Sequence, residues 1–326
     1  MPPLILLTGA AGFIGSHLTD RLLDLGREVV GFDNLSSGDR ANLTRALMNP
    51  TFRLSEGSLL DAEATERVLG QCDLVFHLAA DPEVRAGEEN PSTQFRQNLL
   101  ATFNLLDAMR RRGAPTRLVF ASTSTVYGEA SVIPTPEDYG PLLPISTYGA
   151  TKLGCEALAA SYTELLPVEV VIFRFANIVG ARSNHGVLYD FILKLRKNPR
   201  ELEVLGDGAQ TKSYLHVDDC VDAFLMTLQD QFWTSAVQVY NIGSDDQTNV
   251  LKIAQVVLDA TGLKNLPIRT TAKPGERAWP GDVGIMQLDV SRIKGRGWVP
   301  RRSSDEAVRF AAQEMVRESG ILPPSM

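Results

Sequence analysis

A doubly wound parallel α/β sheet with a smaller, mixed C-terminal lobe is the fold that this sequence predicts. Three observations carry that prediction. Up to about residue 180, short leucine-rich or β-branched runs alternate with longer amphipathic stretches, the pattern of βαβ units. The runs are apolar almost throughout, as strands covered on both faces must be. The first run breaks into glycines at spacing three and opens an amphipathic stretch.

The elements follow in order. Strands are expected at "LILLTG", "EVVGFD", "FRLSEG", "LVFHLAA", "RLVFAST" and "VEVVIFRF". Helices are expected over Ile14 to Leu25, Ala62 to Leu69, Gln94 to Arg112 and Tyr148 to Leu165. "RRRG" at Arg110 to Gly113 reads as a helix end, since cations suit the negative dipole and glycine suits the cap. Beyond residue 180 the rhythm loosens and prolines punctuate it. Helices there are expected over Tyr189 to Lys197, Val217 to Gln229, Val250 to Thr261 and Ser304 to Glu318. The division is therefore 1–180 for the sheet domain, with strands also open to contribution from later segments, and 181–326 for the smaller lobe. In such a sheet the ligand cleft lies outside the carboxyl ends of the strands.

The 326 residues are 44% hydrophobic and 22% charged, enough apolar material for a large core. The net charge of −7 speaks against a general nucleic-acid binder. Cys72, Cys155 and Cys220 stand far apart with no CxxC, so neither a disulfide framework nor a zinc site is expected. No apolar run reaches membrane length and "LILL" runs straight into a glycine turn, so a cytoplasmic protein without a membrane partner is expected. No metal site is expected.

Gly9, Gly12 and Gly15 follow a strand and open a helix. The first allows a sharp turn, the second lets backbone approach a pyrophosphate, and the third allows close packing. The helix start adds free N–H groups and a positive dipole end. Asp33 ends the second strand, 18 residues after Gly15. A carboxylate there accepts from the adenosine ribose hydroxyls and repels a 2′-phosphate, which selects NAD over NADP. The first domain is thus a Rossmann-type, NAD-binding one.

"STYGATK" places Tyr148 and Lys152 four residues apart, on one helical face. A phenol with pKa about 10 is a poor base at neutral pH, but a neighbouring ammonium and a positive nicotinamide ring favour the phenolate. Three units of depression would take only about 4 kcal/mol. "FASTSTVYG" ends a strand with Ser122 and Thr123, and a hydroxyl there can bond the oxygen being oxidised. Alone, a Tyr–Lys pair at this spacing is usually helix surface; beside a dinucleotide turn it becomes a catalytic pair. His77, His216, Trp233 and Trp298 read as packing residues, and His185 lies beside the expected nucleotide pocket.

Together, "TGAAGFIGSHL", "DNLSSG", "HLAA", "FASTSTVYG", "YGATK", "FRFANIVG", "LGDGAQTKSYLHVDD" and "PGD" resemble the extended short-chain dehydrogenase/reductases, in particular the NAD-dependent nucleotide-sugar epimerases of the UDP-glucose 4-epimerase type. The resemblance implies a homodimer built on two long helices, here Gln94 to Arg112 and Tyr148 to Leu165. It implies NAD contacts from Gly9, Gly12, Phe13, Ile14 and Gly15, from Asp33, Asn34, Ser36, Ser37 and Gly38, and from Ser58 and Leu59. Further contacts are implied for Leu78, Ala79, Ala80, Asn98, Tyr148, Lys152 and Ala176. For a UDP-sugar it implies Thr123, Asn177, Val187, Leu188, Leu205, Lys212 and Asp282.

This chain departs from the family's pattern in places. Ser58 stands where an aspartate often touches adenine, with Asp61 as a possible substitute, and Pro82 stands for a lysine. Lys212 and Trp279 stand at usual arginine positions; Arg277 is the candidate replacement for the second. Met286 stands where relatives limit sugar size. Family dehydratases need carboxylates in the two positions after the catalytic threonine, and decarboxylases usually keep the second; here these are Ser124 and Thr125. Oxidation and re-reduction at C4 of a UDP-hexose is the expected reaction. A UDP-GlcNAc or UDP-glucuronate 4-epimerase is the alternative within the class, and a non-catalytic NAD-binding sensor is the alternative outside it.

Overall fold

The structure is a computed structural model and describes residues 3–84 and 90–320. Seven parallel strands form its central sheet: β1 (Ile5–Thr8), β2 (Val29–Asp33), β3 (Phe52–Glu56), β4 (Leu74–His77), β5 (Thr116–Thr123), β6 (Val168–Phe175) and β7 (Val237–Ile242). Their order is 7-6-5-4-1-2-3, so the chain reverses direction between β1 and β4. The six strands expected from sequence are present, each within three residues of its expected bounds. The seventh comes from beyond residue 180; its register on β6, Val237 opposite Val170, is set only by packing.

Strand alternation explains the apolar runs. Ile5, Leu7, Phe76, Val119, Val171 and Phe173 enter the core on one face, beneath α1 (Phe13–Asp24). Leu6, Val75, Leu118, Phe120, Val170 and Ile172 enter the core on the other, beneath α2 (Ala62–Leu69), α3 (Ala101–Arg112) and α4 (Thr147–Thr163). Neighbouring side chains point to opposite faces, so both must be apolar where both are covered. The smaller lobe has its own core between α5 (Val187–Lys197), α7 (Val250–Ala260) and α8 (Ser304–Ser319). The intervening α6 (Val217–Met226) packs with α1 instead, through Val221 and Phe224. The sheet domain thus borrows one strand and one helix from the chain beyond residue 180.

Local signals set the helix ends. Asp61 caps α2 through Ala64 N, Ser146 caps α4 through Gly149 N, and Ser303 with Glu306 closes a capping box on α8. Gly113 ends α3 in the left-handed region at φ 66°. The stretch expected as one helix from Gln94 is not uniform: a short turn, Pro91–Gln94, passes into a π-helical stretch, Phe95–Leu100, before α3 begins. Asn98 in that wide turn points inward, where its side chain accepts from Asp81 N at 2.7 Å and donates to Thr151 Oγ1 at 3.3 Å.

Candidate active site

A cavity of about 680 Å³ runs along the carboxyl ends of the strands, between the sheet domain and the smaller lobe. Its floor begins at the glycine turn. Gly9 has φ +74°, and a Cβ on it would sit 2.7 Å from Ala79 N. Gly12 is the N-cap of α1 and no side chain caps that helix, so its first-turn N–H groups face the cavity unshared by any capping group. Asp33 ends β2: Oδ2 accepts from Ala11 N and Oδ1 from Leu35 N, each at 2.8 Å. Both oxygens are thereby aimed, and each keeps a lone pair for a ribose hydroxyl. Phe13, Ile14, Gly15, Asn34, Ser36, Ser37, Gly38, Leu59, Leu78, Ala79, Ala80 and Ala176 all line this part of the cavity. A cradle with an uncapped helix start and an aimed carboxylate fits a dinucleotide.

Two of the expected cofactor residues lie behind the wall instead. The Ser58 hydroxyl accepts from Leu60 N at 3.2 Å, within the turn leading into α2. Asp61 is taken by the cap of α2. Asn98 is buried and holds Asp81, which lines the cavity. His77 belongs to the same supporting layer. Thr102 Oγ1 donates to Asn98 O at 2.7 Å, so the His77 Nε2–H must donate to Thr102 at 2.9 Å, leaving Nδ1 to accept from Thr8 Oγ1 at 2.7 Å. Thr8 Oγ1 in turn accepts from Ala79 N at 3.3 Å. Burial pushes the imidazole down to about 3, so it stays neutral and ties the glycine turn to the end of β4.

At the middle of the cavity stand Thr123, Tyr148 and Lys152. Thr123 ends β5, where a 3-10 turn, Ser124–Tyr127, begins; its Oγ1 accepts from Thr125 N at 3.2 Å. Tyr148 and Lys152 occupy successive turns of α4, whose first turn Ser146 fixes. Desolvation pushes the Tyr148 phenol up to about 12, against the pull of its hydrogen bond with Thr123. Desolvation also brings the Lys152 ammonium down to about 8; it lies 4.3 Å from the centre of the Phe120 ring. The expected phenolate is therefore not favoured by the protein alone. Burial outweighs the one opposing influence, the Thr123 hydroxyl.

The far end belongs to the smaller lobe. Asn177 starts the strand Asn177–Val179, which pairs with Tyr214–His216, and its Nδ2 donates to Ser213 O at 3.2 Å. Lys212 Nζ meets the buried Asp282 Oδ1 at 2.6 Å and lies 5.6 Å from the Trp279 ring centre. Val187, Leu188, Leu205 and Met286 line the same end, as does His185. Arg277 does not line it: its guanidinium pairs with Glu129 at 2.6 Å, both half exposed, outside the wall. Arg277 stands two positions before Trp279, and only Trp279 lines the cavity. Sequence reasoning missed Asp81, Gln97 and Gln210, which line the cavity, and Asn184, whose Nδ2 crosses from the smaller lobe to Ser37 O at 2.6 Å. Of these, only Asp81 had a signal, its place directly after a strand's carboxyl end.

A glycine-turn dinucleotide cleft with threonine, tyrosine and lysine at its centre defines the extended short-chain dehydrogenase/reductase class. Within it, the chain belongs to the NAD dependent epimerase/dehydratase family, whose model matches residues 5–243, and NAD is its cofactor. UDP-glucose 4-epimerase of Mycolicibacterium smegmatis is 32% identical over 309 residues, 93% of this chain and 95% of that protein. The crystal structure of a UDP-galactose 4-epimerase is 44% identical, with TM-score 0.85, and covers 97% of this chain and 99% of its own. A UDP-glucuronic acid 4-epimerase from Bacillus cereus, crystallised with UDP-glucuronic acid and NAD, is 28% identical, with TM-score 0.86 and coverages of 97% and 99%.

Proposed function

We propose that this chain epimerises a UDP-hexose at C4, interconverting UDP-glucose and UDP-galactose through a 4-keto sugar. The observation that carries the proposal is that Thr123, Tyr148 and Lys152 line one cavity together, the one that the glycine turn opens. Hydroxyls at Ser124 and Thr125, where the related eliminations need carboxylates, support a reaction confined to C4.

Bound NAD supplies reversible hydride exchange at C4. The glycine turn, the α1 start and Asp33 hold it. Tyr148 takes the proton from the 4-hydroxyl and returns it after the sugar has turned. Thr123 bonds the same oxygen in both halves of the reaction. Lys152 keeps a positive charge beside the phenol and holds the nicotinamide ribose. Asn177 and Lys212 grip the diphosphate, with Asp282 fixing the lysine, while Val187, Leu188 and Leu205 pack on the base. Binding energy from this remote nucleotide keeps the keto sugar at the site while it turns.

Met286 supports a second reading. It is half-buried at the sugar end, and its unbranched side chain adapts in shape, so an N-acetyl sugar would fit there. A panel of UDP-glucose, UDP-galactose, UDP-GlcNAc and UDP-glucuronate followed by proton NMR tests both readings. Conversion of none of them leaves the sensor reading standing.

The proposal includes a homodimer in the cytoplasm. Phe95 and Phe103 are 53% and 41% exposed and flank Leu99, one stripe at helical spacing. Ala150 and Ala157 are exposed on α4, and Gly154 lies between them, where a Cβ would come 3.0 Å from Leu99. Large apolar side chains beside a flat helix face suit a four-helix contact between two copies. Among the described residues, no helix is long and apolar enough to cross a membrane.

A further inference from the structure

Residues 181–186 connect the strand Asn177–Val179 to α5, and Ser183, Asn184, His185 and Gly186 line the cavity. The base of this segment is held by helices of both lobes. On α8, Glu314 Oε2 accepts from Ala181 N at 3.2 Å and Glu318 Oε2 from Arg182 N at 2.8 Å. On α1, His17 Nε2–H donates to Ala181 O at 3.0 Å, and Asp20 Oδ2 accepts from Arg182 Nη2 at 2.8 Å. Arg182 has φ +62°, in the left-handed region that side-chain-bearing residues rarely adopt, and these contacts hold it there.

The tip of the segment reaches the sheet domain, where Asn184 Nδ2 donates to Ser37 O at 2.6 Å. Asn184 Oδ1 can only accept, so His185 Nδ1–H donates to it at 3.1 Å and the amide N–H is left for Ser37. The receiving side is fixed as well. Gly38 packs on the glycine turn, where a Cβ would fall 2.8 Å from the Ala11 carbonyl carbon, and Asp39 N donates to Ala11 O at 3.1 Å. Ser37 also lines the cavity, four residues beyond Asp33. The hydrogen bond therefore joins two walls of the NAD cleft, one from each lobe.

We propose that residues 181–186 form a strap across the NAD cleft and that the Asn184–Ser37 hydrogen bond is its latch, so that Asn184 governs how fast NAD enters and leaves. The bond joins protein to protein and takes nothing from NAD. It opposes entry and exit alike and contributes little to affinity. Slow escape suits an NAD that is regenerated in each turnover, but the inference needs the NAD site alone.

The test mixes NAD-loaded full-length protein with excess NADH, whose fluorescence rises on binding, and reads the release rate of NAD. Calorimetric titration with NAD gives Kd, and the quotient of the two gives the entry rate. In N184A both rates rise about three- to tenfold, the worth of one hydrogen bond, while Kd stays within about twofold of the wild type. N184D keeps the size of the side chain but has no N–H to donate, and it releases NAD at least as fast as N184A. Asn184 is exposed, so the urea midpoint of N184A matches that of the wild type. Wild-type release rates in both variants overturn the proposal. So does a rise in Kd equal to the rise in release rate, which would make Asn184 a contact of NAD and not a latch, and so does a faster release that comes with a lower urea midpoint. Absence of UDP-sugar turnover by the wild type would instead reject the reaction proposed above and leave these rates decisive for Asn184.

Discussion

Replacing Gly15 with alanine tests the glycine turn most directly. Gly15 lies in the first turn of α1, and a Cβ built there falls 2.0 Å from the carbonyl oxygen of Gly9 and 2.9 Å from its carbon. Ordinary contact begins near 3.4 Å, so one of the two turns must move by more than an ångström. The obstacle is backbone, not the flexible end of a side chain. Overpacking of this kind costs about 1–3 kcal/mol of stability. The segment that moves is the one that approaches the diphosphate, so NAD affinity should fall about 10- to 100-fold, equivalent to about 1.4–2.8 kcal/mol. Urea unfolding of the NAD-free protein measures the first quantity, and calorimetric titration with NAD measures the second. Gly26→Ala is the control. It too strains the backbone, with φ +68°, but its Cβ meets nothing within 4 Å and it stands far from the cavity wall. It should lose stability by about 1–2 kcal/mol and keep its NAD affinity. Wild-type NAD affinity in Gly15→Ala, or an equal loss in Gly26→Ala, would refute the reasoning.

Other outcomes follow from the same geometry. Tyr148→Phe keeps NAD bound and lowers turnover at least 10²- to 10⁴-fold, the usual worth of a positioned proton carrier; near-normal epimerisation by this variant rejects the assignment. Lys152 makes stability depend on pH: its folded value of about 8 lies below the ordinary 10.5, so below pH 8 both folded and unfolded chains carry the proton and the burial penalty is complete. Between about 8 and 10.5 the folded chain releases the proton first, so this group's contribution to stability rises with pH, by about 3 kcal/mol in all. Urea melts at pH 7 and pH 10 should show that rise in the wild type relative to Lys152→Met. Lys212→Ala should raise KM for the UDP-sugar at least tenfold and leave Asp282 an unpaired buried carboxylate, whereas Arg277→Ala should alter KM less than twofold; steady-state kinetics on both variants settles which cation grips the diphosphate. Phe103→Glu should yield monomers by light scattering, and a persistent dimer would place the contact elsewhere.

The local decisions were legible in the sequence because they are made within a few residues. The glycine spacing, Asp33 at a strand end and the Tyr148–Lys152 interval each act over a turn or a loop. Near-continuous apolar runs likewise marked six strands, since both faces of each must be covered. What the sequence left open depended on partners distant along the chain. Val237–Ile242 joins the sheet through a register that only Val168–Phe175 can offer. Ser58 and Arg277 are kept off the cavity wall by Leu60 and Glu129, and Asn98 is drawn inward by Asp81 and Thr151. The protonation of Tyr148 and Lys152 was decided in the same way. Spacing on one helix put the pair together, but desolvation by the assembled cleft pushes the phenol up and the ammonium down, and a desolvation cost exists only once the surrounding elements have packed.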